Sequence, residues 1–266
     1  MSVRIIPASR RSTTELLADV SSKADKVTSA TAGNLAELDA LGNLVDSGIA
    51  ADDVNPAVFD IELDVTAGLF DFSVTGVTEF SWYFPEDGTI STASRPAKTL
   101  TEEQTVLLSA KWGSEAELKD NGTDAKYVGD LSDVSNVSYF LNLDNCSNIT
   151  GDLSDVSNVS YTLGLYNCSN ITGDLSDVSN VSYLLRLRNC SNITGSLSSS
   201  CIATYIDLNS IGCSSAELDT TIANLVTANQ SDGTLILLGL TRTAASSADV
   251  ATLESRGWTV TDATIV

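Results

Sequence analysis

The sequence predicts a mainly β protein with some α structure, in which a short solenoid follows a small β-sandwich and carries a C-terminal α/β cap. One 22-residue unit occurs three times, at residues 129–150, 151–172 and 173–194. Short runs of alternating apolar and polar residues fill residues 56–112, and helical spacing returns only near the C-terminus. A period in the 20s is typical of solenoids, because each unit buries its apolar face only by stacking on a neighbour.

Each unit reads GDLSDVSNVSY, then x-L-x-L-x, then NCSNIT. Alternation with a period of two predicts a strand whose leucines point inward and whose other residues point outward. The copies differ only at these outward positions, which we call the strand-face grid: Phe140, Asn142, Asp144, Thr162, Gly164, Tyr166, Leu184, Arg186 and Arg188. A constant scaffold with variable outward residues predicts a ligand-binding surface.

The alternative is that solvent-facing strand positions vary without functional consequence. Ser132, Asp133, Ser135 and Asn136 are also expected to face water, and they are identical in every copy. This constancy favours the binding interpretation.

The run L-x-L-x-N-C-S-N-I-T-G-x-L resembles a leucine-rich repeat of the type with cysteine at the turn. The resemblance implies that the strands line a concave face, which usually carries the ligand in that family. The unit departs from the family pattern upstream, where Val134, Val137 and Tyr139 replace the first leucine. Because Ser, Asp and Asn compete with a helical backbone, we expect a 3₁₀ or irregular back.

Residues 1–55 are expected to form a separate unit. A capping box at Ser12 and Glu15 predicts a short helix from Thr13 to about Lys26. The following segment, of the form DKVxxAxxGNLAxLDxxGNLxDSG, resembles the N-terminal parts of bacteriophage virion and tail-fibre proteins. That resemblance implies a virion structural protein, commonly a homotrimer, which attaches to the particle through its N-terminal end.

The N-terminal arm is basic, whereas the rest of the chain is acidic. We expect the arm to dock on an acidic virion partner, because the remainder of the protein would repel such a partner. The predicted anchor residues are Arg4, Arg10 and Arg11. The alternative is a solvated N-terminal arm.

Residues 56–112 are predicted to form a small β-sandwich, since short strands recur there every 8–12 residues. Residues 59–65 alternate fully, Phe80, Trp82 and Phe84 share a face, and the last strand runs from Thr105 to Trp112. The segment FSWYFPEDGT resembles the core of PKD-type immunoglobulin-like domains. We expect Trp82 to be a core residue and not a platform for sugar stacking.

Residues 113–266 are predicted to form the repeat domain. Its first rung is degenerate, with Ala116 and Leu118 pointing inward, and residues 205–208 supply a further rung. A cap over about 211–266 shields the last rung. The predicted cap elements are a helix from Ser214 to about Ala228, a strand over Thr234–Leu240 and a helix over Ala248–Arg256.

The net charge of −21, with no histidine, argues against nucleic-acid and anionic-membrane partners. We find no secretory signal and no apolar stretch long enough to span a membrane. Cys146, Cys168 and Cys190 share one repeat position and are expected to be buried thiols in a reducing environment, with Cys201 and Cys213 in a degenerate fourth unit.

No catalytic, cofactor or metal site is expected. A hydrolytic triad is absent, although the many acids leave a glycosidase-like carboxylate pair open. The repeated Asp residues are interpreted as solvated caps of turns and not as calcium ligands. The N-x-Ser/Thr triplets are interpreted as products of an Asn- and Ser-rich turn, in which Asn145, Asn167 and Asn189 hydrogen-bond backbone between rungs.

These resemblances and patterns together imply a non-enzymatic bacteriophage virion protein, a head or tail fibre or appendage. It would adhere to a host surface protein or glycan through its leucine-rich repeats. Its expected partners are other virion proteins, copies of itself in a trimer, and that host ligand. Two alternatives are a purely structural capsid-decoration or fibre protein and a bacterial surface repeat protein.

Overall fold

The computed structural model describes residues 34–38, 44–50, 61–122 and 126–266. The chain divides into two units, Met1–Val58 and Phe59–Val266. In the first unit, β1 (Asn34–Leu38) and β2 (Leu44–Ala50) pair in an antiparallel hairpin. The predicted N-terminal helix and the three anchor arginines lie outside the described residues. The sequence did not predict this hairpin.

The second unit begins with six strands that pair mainly antiparallel. They are β3 (Ile61–Val65), β4 (Gly68–Phe70), β5 (Phe72–Phe84), β6 (Thr89–Ser91), β7 (Lys98–Leu100) and β8 (Gln104–Asp120). β3, β8, β5 and β6 belong to one sheet, and β4 pairs with β7 in a separate two-stranded sheet.

Aromatic residues fill the core of this region. The Phe70 ring stacks on Phe72 at 4.9 Å and contacts Trp82 and Phe84 edge-on at 5.4 and 5.3 Å. Trp82 is fully buried and its indole N–H donates to the carbonyl of Ala93 at 3.1 Å. The prediction that Trp82 is a core residue is confirmed.

The long strand β8 connects this region to the repeats. The predicted strand ended at Trp112, but β8 continues to Asp120 because alternate residues beyond Trp112, among them Ala116 and Leu118, are again buried. β8 pairs antiparallel with β3 and β5, and its last part pairs parallel with the first repeat strand. The predicted domain boundary at 112 therefore lies inside one continuous strand.

Each 22-residue repeat contributes one 3₁₀ turn and one short strand of the main sheet. The elements are η1 (Leu131–Val134), β9 (Phe140–Asn142), η2 (Leu153–Val156), β10 (Thr162–Gly164), β11 (Gly173–Asp174), η3 (Leu175–Val178), β12 (Leu184–Arg186), β13 (Ile193–Thr194) and β14 (Tyr205–Asp207). β11 and β13 form a separate pair.

The main-sheet strands stack in parallel and in register, in the order β8, β9, β10, β12 and β14, and continue into the cap. One residue from each strand falls in a common inward column: Leu118, Leu141, Leu163, Leu185, Ile206 and Leu235. All six are fully buried. The predicted inward leucines, including that of the degenerate first rung, are confirmed.

The 3₁₀ turns begin at aspartates that act as caps. The Asp152 carboxylate accepts from the backbone N–H of Ser154 at 3.1 Å, and the Asp155 carboxylate accepts from the backbone N–H of Asp152 at 3.1 Å. The second oxygen of Asp152 accepts from the Thr172 hydroxyl, also at 3.1 Å, which connects adjacent rungs. Asp130 makes the equivalent bonds with Ser132, Asp133 and Thr150. The predicted 3₁₀ back and the capping role of the aspartates are both confirmed.

Replacing Asp152 by alanine is expected to lower the free energy of unfolding by about 1 kcal/mol at pH 7, because a cap of the turn is lost. The Ser154 backbone N–H holds the pKa of Asp152 below its usual value. Because the pKa of Asp152 is lower in the folded than in the unfolded protein, its ionisation stabilises the folded protein at pH values above the unfolded-state pKa. This contribution disappears as the pH falls through the folded-state pKa. The difference between the two proteins should therefore shrink below about pH 4.

Urea denaturation at pH 7, 4 and 3 measures this dependence. Ser147→Ala is the control, because its exposed side chain lies in a different turn of the repeats, outside the 3₁₀ turns, and its removal is expected to change stability by less than about 0.5 kcal/mol. A stability difference for Asp152→Ala that stays constant with pH would contradict the capping role.

The cysteines form a column inside the stack. The Cys168 thiol donates to the carbonyl of Leu143 at 3.2 Å, and that of Cys190 donates to the carbonyl of Leu165 at 3.0 Å. Burial raises the pKa of Cys190 to about 12. Cysteine suits this position because it is small, tolerates burial and carries a weak donor for the preceding rung.

The C-terminal elements extend the sheet by two strands and cover it with two helices. They are α1 (Ser215–Ala228), β15 (Thr234–Ile236), β16 (Thr241–Arg242), η4 (Ala244–Ser246), α2 (Ser247–Ser255), β17 (Thr259–Thr261) and β18 (Thr264–Ile265). Both helices fall within one residue of their predicted bounds. The predicted strand over Thr234–Leu240 is wrong beyond Ile236, where the chain turns and leaves Leu238 exposed.

The described part of the chain is therefore mainly β with some α structure, as predicted.

Candidate functional site

The strand-face grid lies on one face of the main sheet, opposite the buried leucines. Phe140, Thr162 and Leu184 are aligned across the rungs, as are Asn142, Gly164 and Arg186. Seven of the nine grid residues are at least partly exposed, but Thr162 and Gly164 are buried. The expectation that all nine face solvent is wrong for these two, since neighbouring side chains cover the middle rung.

Gly164 allows an ion pair to cross the middle rung. Arg186 Nη1 lies 2.7 Å from Asp144 Oδ2, although these residues are two rungs apart. A Cβ added at Gly164 would lie 3.0 Å from Asp144 Oδ1 and from the side-chain nitrogen of Asn142. Because Gly164 has no side chain, the side chains of Asn142 and Asp144 fit above it, and Arg186 reaches Asp144 across this rung.

Asp144 is a fully engaged acceptor. Besides Arg186, its carboxylate accepts from the backbone N–H of Tyr166 at 2.9 Å, and its own N–H donates to Asn142 at 3.2 Å. The Asp144 and Arg186 side chains are 15% and 35% exposed, so the pair is partly shielded from solvent. Asp144 and Arg186 thus have a structural role, and their ion pair fixes the position of the Arg186 guanidinium.

Arg188 differs from the other arginines in this part of the chain. Its guanidinium carbon lies 5.6 Å from the centre of the Tyr166 ring, a cation–π distance. Within residues 61–122 and 126–266, no carboxylate forms an ion pair with it. By contrast, Arg242 is buried in an ion pair with Asp262, and Arg256 donates to the carbonyl of Val226.

An open depression of about 260 Å³ lies beside Arg188. Its lining residues are Tyr166, Arg186, Arg188, Tyr205 and Asp207. Three of the five were predicted as grid residues, and we call the feature the arginine–tyrosine depression. Phe140, Asn142, Asp144 and Leu184 lie on the same face but do not line it.

Sequence reasoning missed Tyr205 and Asp207 as site residues. β14 was predicted as a rung, but the grid was not extended to its outward positions. The register places Tyr205 beside Leu184 and Asp207 beside Arg186. Alignment of β14 with the preceding strands would have identified both residues, because outward positions recur at every second residue of each rung.

The invariant surface residues have structural partners. The side-chain N–H of Asn167 donates to the side chain of Asn145 at 2.8 Å, and that of Asn189 donates to Asn167 at 2.7 Å. We predicted an Asn ladder in which these three residues hydrogen-bond backbone between rungs. The ladder is present, and the backbone N–H of each residue donates to a backbone carbonyl of the next rung, but the side chains bond one another and not backbone. Their backbone is left-handed, with φ of 64–69°, and the side chains then meet one another along the stack.

A column of tyrosines was also missed. Tyr139 and Tyr161 stack at 4.7 Å, and Tyr161 and Tyr183 stack at 5.0 Å. We had assigned Tyr139 to a position that replaces an inward leucine, but it is only partly buried. Because each ring of the stack covers a face of its neighbour, most of the aromatic faces in this column are occupied.

Among the residues that the structure describes, no group of three or more His, Cys, Asp or Glu side chains is arranged to hold a metal ion. No helix within those residues is long and apolar enough to cross a membrane. The predicted anchor residues Arg4, Arg10 and Arg11 fall in the part of the chain that is not described. No family model, curated protein or solved structure matches this chain.

Proposed function

We propose that this chain is a subunit of a bacteriophage virion appendage that attaches, without catalysis, to a protein or glycan on the host surface. In this proposal a leucine-rich-repeat solenoid presents the binding face, an immunoglobulin-like β-sandwich precedes it, and the N-terminal segment holds the particle. The proposed assembly is a homo-oligomer, with a trimer expected from the N-terminal resemblance.

One observation carries the adhesive role. The residues that differ between otherwise identical repeats include the tyrosine and two arginines that line the arginine–tyrosine depression. Tyrosine and arginine are the residue types that most often anchor recognition surfaces. Variation at those positions, with an unchanged scaffold around them, is typical of a surface that adapts to a ligand.

Two experiments on the full-length chain test the proposal. Purified particles should contain the chain when they are analysed with a specific antibody, and the antibody should label an appendage in electron micrographs. The full-length protein should adsorb to cells of the bacterium that the phage infects. The triple variant Tyr166→Ser, Arg188→Ser, Tyr205→Ser should not adsorb.

The control for adsorption is Lys111→Ser, because Lys111 is exposed on β8, outside the grid. Urea denaturation checks that all variants remain folded. Absence of the chain from particles would contradict the virion role. Unchanged adsorption by a folded triple variant would contradict the assignment of the binding face.

A structural role without receptor binding is the second candidate, and the ion pair between Asp144 and Arg186 favours it. This bond uses two variable grid residues to connect three rungs within the chain. In that case particles would contain the chain, the wild-type protein would not adsorb to host cells, and the triple variant would not alter infection.

A further inference from the structure

We infer that the arginine–tyrosine depression binds an acidic saccharide, with a sugar carboxylate on Arg188 and a sugar ring against Tyr205. This inference rests on the proposed adhesive function. The depression combines an exposed guanidinium, a free aromatic face and a volume close to that of one sugar residue.

Arg188 supplies the positive charge of the depression. Residues 129–266 contain four Lys and Arg residues against fourteen Asp and Glu residues. Arg242 and Arg256 are engaged in structural bonds, and Arg186 pairs with Asp144. An acidic region of this kind repels anions in general, but the exposed Arg188 guanidinium has no ion pair within the described residues and offers two parallel donors to a sugar carboxylate. The guanidinium lies over the Tyr166 ring, which favours this position of the side chain.

Asp207 supplies an acceptor for the hydroxyl groups of a sugar. It lies beside Arg186 in the register but forms no ion pair within the described residues, because Arg186 reaches across Gly164 to Asp144. One Asp207 oxygen accepts from the backbone N–H of Asn209 at 3.2 Å. Asp207 is largely buried, at 5% exposure, but it lines the depression, where its carboxylate can accept hydrogen bonds from sugar hydroxyls.

Tyr205 supplies aromatic surface. The rings of Tyr139, Tyr161 and Tyr183 stack on one another, and one face of Tyr166 carries Arg188. Within the described part of the chain, Tyr205 has no stacking partner, and it is partly exposed. The C–H-rich face of a pyranose ring is apolar surface that can pack on such a ring while the phenol hydroxyl bonds to a sugar hydroxyl.

The size of the depression suits a single sugar residue. Its volume of about 260 Å³ is below that of pockets for drug-sized ligands, roughly 300–1,000 Å³. A single charged sugar residue matches the small, open depression and its few polar groups, and repeated residues along a glycan would add avidity in an oligomer.

The test is a titration of the full-length protein with oligogalacturonate, a uronic-acid chain, and with oligosialic acid. The carboxyl-reduced form of each chain is its neutral counterpart. At least one of the two acidic saccharides should bind. Its carboxyl-reduced form should bind at least about tenfold more weakly, because the charge-assisted bonds to Arg188 are lost. The saccharide that binds, oligogalacturonate or oligosialic acid, identifies the type of sugar acid.

Variants locate the site. Arg188→Gln should weaken binding of the acidic chain about tenfold or more, and Arg188→Lys should weaken it less, because lysine keeps the charge but loses the planar pair of donors. Tyr205→Ala should also weaken binding. Lys111→Gln makes the same change in net charge away from the grid and should leave binding unchanged.

Three outcomes would overturn the inference. The acidic and the carboxyl-reduced saccharides bind equally, an oligoglutamate peptide binds as tightly as the acidic saccharide, or none of the saccharides binds. Adsorption of the same variants to host cells separates the two proposals. If wild-type protein adsorbs and Arg188→Gln does not, while no saccharide binds, the adhesive function stands and the ligand class is wrong. If wild-type protein neither adsorbs nor binds a saccharide, both proposals fail.

Discussion

Replacing Leu163 by alanine is expected to lower the free energy of unfolding by about 2–5 kcal/mol, near the upper end of that range. Leu163 is fully buried and lies in the middle of the inward column, between Leu141 and Leu185. Each rung of a stacked array contacts only its neighbours, so a cavity in the middle rung weakens two interfaces. Urea denaturation with a shared m-value measures the change.

Thr162→Val is the matched control, because Thr162 is the buried neighbour of Leu163 on the same strand and points to the opposite face. Its hydroxyl is buried without a hydrogen-bond partner. Removal of an unsatisfied hydroxyl is expected to leave stability unchanged or to raise it by about 1 kcal/mol. If Leu163→Ala cost no more than Thr162→Val, the inward column would not carry the stability of the stack.

Replacing Lys126 by methionine is expected to lower the free energy of unfolding by about 3 kcal/mol at pH 7. Lys126 Nζ lies 2.7 Å from Asp120 Oδ2, and the Asp120 side chain is fully buried. Asp120 also accepts from the backbone N–H of Gly122 and from the Cys146 thiol, so it joins the end of β8 to the first repeat. Removal of the lysine leaves a buried carboxylate without its counter-ion.

The pH dependence of this variant has the opposite sign to that of the capping aspartates. Burial already raises the pKa of Asp120, and loss of the Lys126 ammonium raises it further. A folded-state pKa above the unfolded value means that the folded protein binds the proton more tightly, so Lys126→Met should regain stability as the pH falls toward about 4.

A double-mutant cycle with Asp120→Leu isolates the ion pair. When both partners are replaced by apolar residues, no buried charge remains, and the double variant should be more stable than Lys126→Met alone. If the two effects simply add, with no recovery in the double variant, the pair would not be coupled.

Much of the repeat region could be predicted because the same local rule applies three times. The alternation around Leu141 and Leu163 reveals the strand and its inward face, and Asp152 followed by Asp155 identifies the cap of the turn. The cap helices were found from equally local signals, such as Ser214 with Glu217, whose side chain accepts from the Ser214 backbone N–H at 2.7 Å. Local hydrogen bonds and side-chain periodicity depend on near neighbours in the chain, which a sequence displays.

The candidate site could be predicted only in part. The sequence identified Tyr166, Arg186 and Arg188 as variable outward residues, but it did not show that Tyr205 and Asp207 complete the depression with them. It also did not distinguish the buried Thr162 from Phe140 and Leu184, which are partly exposed at the same repeat position, since burial there depends on the side chains of adjacent rungs.

The sequence by itself therefore determined the period, the inward column, the turn caps and the positions at which the repeats vary. Only the tertiary structure decided that β8 joins the antiparallel region to the repeats, and that Arg186 pairs with Asp144 rather than with the adjacent Asp207. The physical reason is that an arginine side chain can reach either carboxylate. The choice depends on the space above Gly164 and on the register of three strands, which exist only when the chain is folded.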